Sequence, residues 1–355
     1  MSDGTGERKR DGAGEQKPDG ERQGTGDGGA GAARHGTGPG GPGRARHGTG
    51  PGGAGAAWLP TVDLTRDAAP QLPAVDRALR EAGFLLVTGH GVDRELRAGI
   101  RAAARRFFHL PSAAKEPYAV RVGGRGWLGP GAEANGYAEG TATPPDLKES
   151  LSFAADEPTG DPAVDAEWFL PNTWPAEIPE LKPLVETYLA EMKALSDRVL
   201  DLLGEALGEE RDFFTRHTGH PTFGFNVNWY PGRERTGEPE PGQFRIGPHT
   251  DFGTVTVLDR EAGKGGLQVF TDAGGWQDAP YDPAAFTVNI GDLMAGWTGG
   301  RWRSGRHRVL PPPAEAPEEE LMSLVYFYEC TPGTTIHGIE SHGYLRAQLD
   351  AIATD

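Results

Sequence analysis

Apolar residues follow two different periods along this chain, and the change comes near Pro221. Before it, spacings of three and four dominate, as on one face of an α-helix. Val75, Leu79 and Ala82 form one stripe of a helix predicted over about 73–82, which Gly83 ends. Leu96, Ile100, Ala103 and Phe107 form another, on a helix that Asp93 caps and that runs to about Phe108. Leu110-Pro111 stops it, and a short helical turn is expected at 112–116. The clearest helix runs from Pro183 to about Leu207, with Tyr188, Met192, Leu195 and Val199 on its apolar side and Gly208 at its end. Strands are expected at 59–64 and in the uniformly apolar 84–88. His90, between two glycines, reads as a structural hydrogen-bonding group. Residues 121–156 are Gly-rich and read as a long loop, either functional or a wrap around the core.

After Pro221 the period falls to two, the mark of strands with one buried face. Residues 223–230 alternate, and 244–246 lead into His249-Thr250-Asp251, followed by a strand at 254–258. Residues 266–270 and 275–279 make a hairpin around Asp272-Ala273-Gly274. Further strands are expected at 286–292, 306–310 and 321–330. Many short strands with Gly and Pro turns predict an α+β, mainly β fold: a double-stranded β-helix, or jelly roll, with helices outside.

Composition separates residues 1–57 from the rest. That stretch is dominated by Gly, and a segment containing His35 recurs almost unchanged around His47. It cannot bury enough apolar surface to offset its backbone entropy, so it is expected to be a disordered tail without a secretory leader. Residues 58–160 are expected to form an amino-terminal region and 161–355 a helix plus catalytic core, in one compact unit from about 58. The net charge of −16 argues against a nucleic-acid partner. No apolar run is long enough for a membrane span, and the single Cys330 fits a reducing cytoplasm.

The candidate chemistry sits in His249 and Asp251. On a strand, residues two apart share a face, so the imidazole and the carboxylate are expected to project together, with Thr250 pointing away. Such a pair suits a divalent metal, and His307 is the best candidate for a third ligand. Two His and one carboxylate leave metal positions open, as in non-haem Fe(II) oxygenases. A non-redox zinc site in the same triad is the alternative.

The order of several sequence blocks now carries a resemblance. They are Gly83-Phe84-Leu85-Leu86-Val87-Thr88-Gly89-His90-Gly91-Val92, Pro145-Asp146-Leu147-Lys148-Glu149-Ser150, Asn228-Trp229-Tyr230-Pro231, His249-Thr250-Asp251, Gly265-Gly266-Leu267-Gln268-Val269, Val288-Asn289-Ile290-Gly291-Asp292 and His307-Arg308-Val309. Over about 59–329 the chain resembles the isopenicillin N synthase-like family of Fe(II)/2-oxoglutarate dioxygenases. The resemblance implies that His249, Asp251 and His307 hold Fe(II), and that Asn228, Tyr230 and Ser323 contact 2-oxoglutarate, with O2 as the other co-substrate. It implies oxidation of a small molecule of specialised metabolism, antibiotic biosynthesis included, by a monomer. Asp251 stands where related halogenases carry a small residue, so hydroxylation, desaturation or cyclisation is expected.

One departure stands out. The family usually carries Arg-x-Ser on the last core strand, the Arg pairing with the distal carboxylate of 2-oxoglutarate. Here the tripeptide is Leu321-Met322-Ser323. Leu cannot replace a bidentate guanidinium contact. Another cation can take over, and Arg245, four residues before His249, is one candidate; its competing role is an ion pair with an acidic loop. Alternatively 2-oxoglutarate is held weakly by Tyr230 and Ser323, or the enzyme is an oxidase that does not use it. A catalytically silent ligand-binding jelly roll is the reading from outside enzymology.

Overall fold

The structure, a computed structural model, describes residues 58–136 and 143–352. The predicted tail, 1–57, lies outside them. Residues 54–355 form one compact unit.

In chain order the first half runs β1 (Thr61–Asp63), α1 (Leu72–Glu81), β2 (Phe84–Thr88), α2 (Arg94–Phe108), α3 (Ser112–Lys115), β3 (Trp127–Leu128), β4 (Glu149–Ala154), α4 (Pro162–Trp168) and α5 (Leu181–Leu207). The second half runs β5 (Phe223–Tyr230), α6 (Arg233–Thr236), β6 (Ile246–His249), β7 (Val255–Arg260), β8 (Leu267–Thr271), β9 (Gly275–Asp278) and β10 (Phe286–Ile290). It closes with α7 (Asp292–Trp297), β11 (His307–Val309), β12 (Leu321–Tyr328), β13 (Thr335–Ile336), β14 (Ile339–Glu340) and α8 (Ser341–Ile352).

An eight-stranded sheet has the order β1-β2-β10-β7-β12-β5-β4-β3, and a four-stranded sheet the order β6-β11-β8-β9. All pairings in both are antiparallel except β1 with β2. This is the expected jelly roll. Helices α1 and α2 pack on α5, and α5 in turn packs on β7 and β12. The main core fills this layer: Tyr188, Met192 and Val199 of α5 meet Val227, Val257 and Leu324 from the strands. Asp93 caps α2 by accepting from the Glu95 N–H, and α5 ends on Gly208 in the left-handed conformation at φ 90°, as their sequences imply. His90 accepts from Val92 N–H at 3.1 Å and stacks on Phe286, a structural role.

One expectation fails. The long loop predicted over 121–156 contains β3 and β4, and β4 lies beside β5 in the large sheet. Its alternation is short, Ser150 to Phe153, and follows the Gly- and Pro-rich residues 121–145. In the fold Leu151 and Phe153 join the main core, while Ser150 and Ser152 bond Asn228 and Asn226.

Candidate metal centre and its cavity

β6 and β11 are antiparallel neighbours with His249 opposite His307. Asp251 does not continue β6, contrary to the expectation from sequence; the strand ends at His249. Asp251 stands in the turn to β7, and the start of α7 shapes that turn. Asp292 N–H donates to Asp251 O at 2.9 Å and Leu293 N–H to Phe252 O at 3.2 Å. Gly291 makes this possible, because a Cβ there would lie 2.4 Å from Gly253 O and 2.8 Å from Asp251 O.

The three side chains meet. Ligand atoms of His249, Asp251 and His307 lie within 4.8 Å of one another. The Asp251 Oδ1 is 3.7 Å from His249 Nε2 and 3.9 Å from His307 Nε2. Each imidazole donates from Nδ1 to a backbone carbonyl two residues back, His249 to Gly247 at 2.8 Å and His307 to Gly305 at 2.9 Å. That fixes the tautomer and leaves both Nε2 lone pairs turned to the common point. Thr256 Oγ1 and Asn289 Nδ2 donate to Asp251 Oδ2 at 2.6 and 2.7 Å, so Oδ1 is the oxygen left over. Burial alone would raise the Asp251 carboxyl, but the His307 and His249 imidazoles and those two donors hold it below its usual range. Two imidazoles with Nε2 turned to a common point and one carboxylate oxygen are the donor set that Fe(II) takes at an open-sided site. The residues fit the metal.

A cavity of about 300 Å³ opens from this point between the sheets. Asn228, Tyr230 and Ser323 are among the residues that line it. Asn228 accepts from Ser150 Oγ at 2.7 Å, and Tyr230 Oη lies 3.0 Å from Ser323 Oγ. Arg245 is corrected. Its guanidinium is fully buried and turned to the acidic segment: Nη1 donates to Glu319 Oε1 and Gly265 O at 2.9 Å, Nη2 to Glu319 O at 2.6 Å. The reason is a register shift between β6 and β11: His249 pairs with His307 but Ile246 pairs with Val309, so Ile246 rather than Arg245 takes the cavity face.

Known families and relatives agree with this geometry. Residues 59–177 match the family described as non-haem dioxygenase in morphine synthesis N-terminal, and residues 223–329 match the 2OG-Fe(II) oxygenase superfamily. The chain is 47% identical to validamycin A dioxygenase of Streptomyces hygroscopicus subsp. limoneus, over 73% of this chain and 71% of that protein. The chain belongs to the 2OG-Fe(II) oxygenase superfamily. This oxygenase also resembles a 2OG-Fe(II) oxygenase family protein from Caulobacter crescentus, with TM-score 0.70 and 26% identity over 83% of this chain and 99% of that one. A Neurospora crassa protein crystallised in complex with alpha-KG gives TM-score 0.69 at 26% identity, covering 84% of this chain and 98% of that one. The oxygenase is thus an Fe(II)/2-oxoglutarate-dependent dioxygenase acting on a small molecule in specialised metabolism.

Sequence reasoning missed several groups of this oxygenase. Thr256 and Asn289 look like ordinary strand residues. Lys148 sits buried in the cavity wall, paired with Glu133 and donating to Ser150 Oγ at 3.1 Å. Glu329 also lines the cavity, with its carboxyl pushed up to about 8 by burial, against the Thr254 N–H it accepts. A carboxylate at the end of an otherwise apolar strand, Leu324 to Tyr328, was the one available signal.

Proposed function

We propose that this oxygenase oxidises a polar, hydrogen-bonding small molecule of the validamycin A type, and does so in the production of an antibiotic. The observation that carries the reading is the cavity wall beside the metal centre. Ser152, Asn226 and Glu329 line it together with Phe223, Val325 and Phe327, so hydrogen-bonding groups stand among apolar surface. Such a wall suits a guest that carries hydroxyl groups on an apolar ring framework. The 47% identical relative is named for validamycin A.

His249, Asp251 and His307 would hold Fe(II), which with 2-oxoglutarate supplies the oxidising power for C–H oxidation. The chain's own residues do the orienting. Thr256 and Asn289 keep Asp251 ionised and aimed. Asn228, Tyr230 and Ser323 supply hydrogen bonds for the co-substrate. Residues Leu345, Arg346 and Leu349 of α8 also line the cavity.

The test is turnover of validamycin A with Fe(II), 2-oxoglutarate and O2. We expect one succinate per substrate oxidised. A product with one added oxygen atom marks hydroxylation, and one with two hydrogens fewer marks desaturation or cyclisation. Succinate release indifferent to validamycin A and its analogues would overturn the substrate reading.

The same proposal includes organisation. We take residues 58–160 and 161–355 as the amino-terminal and catalytic regions of a cytoplasmic monomer that binds neither nucleic acid nor membrane. The net charge of −16 supports this, as does the fact that no helix among the described residues is long and apolar enough to cross a membrane. Light scattering on the purified chain checks the monomer.

A further inference from the structure

Leu321 removes the cation expected beside Ser323, and a dicarboxylate buried without a counter-charge is costly. The cavity wall holds several cations, and most are already engaged. Lys148 is paired with Glu133 and Arg346 with Glu167. Arg125 also donates only to carbonyls, of Ala155 and Trp168, with Nε unpartnered, but it sits at the end of β4 beside Gly224, four residues along β5 from Asn228, the register partner of Ser323. Arg245, outside the wall, is paired with Glu319.

Arg260 differs. It is the last residue of β7 and the direct register partner of Ser323 on β12. Paired residues on neighbouring strands point to the same face, and Thr256, Leu258 and Arg260 alternate along the cavity wall. Its guanidinium is held only by carbonyl oxygens: Nη2 donates to Ala279 O at 2.9 Å and Pro280 O at 2.5 Å, and Nε has no hydrogen-bond partner. The Tyr281 ring lies 5.3 Å from Cζ. Among the described residues no carboxylate pairs with it, so a positive charge with unused donors faces the cavity level with Ser323.

We propose that Arg260 replaces the missing Arg at position 321 and binds the distal carboxylate of 2-oxoglutarate together with Ser323. The geometry permits the exchange. Position 321 lies two residues from Ser323 on the same face of β12, so positions 260 and 321 are diagonal neighbours about 7 Å apart. Either can deliver a guanidinium to the same point above Ser323. At the other end of the strand Thr256 holds Asp251. Four residues, about 13 Å of strand, separate the metal end from Arg260. An Arg side chain and a five-carbon dicarboxylate share that span. Nη2 is taken by the two carbonyls, which leaves the orphan Nε–H and the Nη1 hydrogens to make charge-assisted bonds to a carboxylate.

This inference rests on the use of 2-oxoglutarate by the enzyme, and the experiment separates the two. Under anaerobic conditions with Fe(II), 2-oxoglutarate is titrated into the wild type and Arg260→Leu, following the visible charge-transfer band and, independently, the heat of binding. 2-Oxopentanoate, which lacks the distal carboxylate, is titrated in parallel. We expect Arg260→Leu to bind 2-oxoglutarate about 100-fold more weakly and 2-oxopentanoate unchanged. Adding Leu321→Arg to Arg260→Leu should restore most of the loss, which a merely structural role would not allow. Should Arg260→Leu fail to fold, Arg260→Lys keeps the charge without the guanidinium's fixed donors and should show a smaller loss, again for 2-oxoglutarate alone. Equal 2-oxoglutarate affinity in a folded variant, or an equal loss for both ligands, overturns the role of Arg260. No binding to the wild type overturns the co-substrate reading itself, and the inference with it.

Discussion

His249 and His307 are register partners on antiparallel strands, with ring centroids 4.1 Å apart. Residues 58 positions apart in sequence thus become neighbours through one strand pairing, and each ring is aimed by a carbonyl two residues before it. Asp251 completes the group from a turn.

Asp251→Ala should abolish stoichiometric iron, read as metal per chain after loading with Fe(II). Asn289→Ala and Thr256→Val keep all three ligands but free Asp251 Oδ2. Each should weaken iron binding about 10- to 100-fold.

Gly291→Ala tests the turn that carries Asp251. The added Cβ would press on Gly253 O and Asp251 O, which are backbone atoms that cannot swing aside. We expect a stability loss of about 1–3 kcal/mol in denaturant unfolding, with weaker iron binding. An unchanged midpoint and unchanged metal affinity would contradict the role given to this glycine.

Buried and exposed ion pairs should behave differently. Asp259, on the outer face of β7, pairs with Arg97 at 3.3 Å and Arg101 at 2.9 Å, all three largely buried. Asp259→Ala would strand two guanidinium groups and should cost about 3–5 kcal/mol. Lys182 and Glu186 pair at 3.7 Å on the exposed side of α5. Lys182→Ala should move the unfolding midpoint little, by roughly 0.5 kcal/mol or less.

His342 should give the fold an acid-sensitive step. Its imidazole is buried against Thr222 and Ser341, and burial pushes it down to about 4 from 6.5 despite the opposing charges of Glu340 and Glu167. Between those values the unfolded chain binds a proton that the folded chain does not. Stability therefore falls as pH drops from 6.5 towards 4, by on the order of 3 kcal/mol, and is regained above 6.5. His342→Gln should flatten that part of the unfolding profile relative to wild type. Parallel profiles would show that His342 does not titrate in this way.

The local periods of the chain already contained α1, α2, α5 and most strands, but not α4, α6, α7 or α8. Val75, Leu79, Ile100 and Met192 are buried where their spacing put them. The metal ligands were also legible, because His249, Asp251 and His307 are chemically conspicuous and stand next to strands. β4 was not recognised, since its alternation spans only Ser150 to Phe153 and follows a Gly- and Pro-rich stretch. Arg245 was misplaced because counting by two along a strand presumes regular pairing, and the register shift between β6 and β11 puts Ile246 on the cavity face instead.

Residue order alone was enough to specify the kinds of element, the three ligands and the lack of an Arg at position 321. Folding had to assign the rest: which oxygen of Asp251 faces the metal, which cation is spent on Glu319 and which stands level with Ser323. Ligand identity is a property of single residues, whereas hydrogen-bond partners and counter-charges follow from strand register. Register joins positions such as 260 and 323, which no local pattern connects.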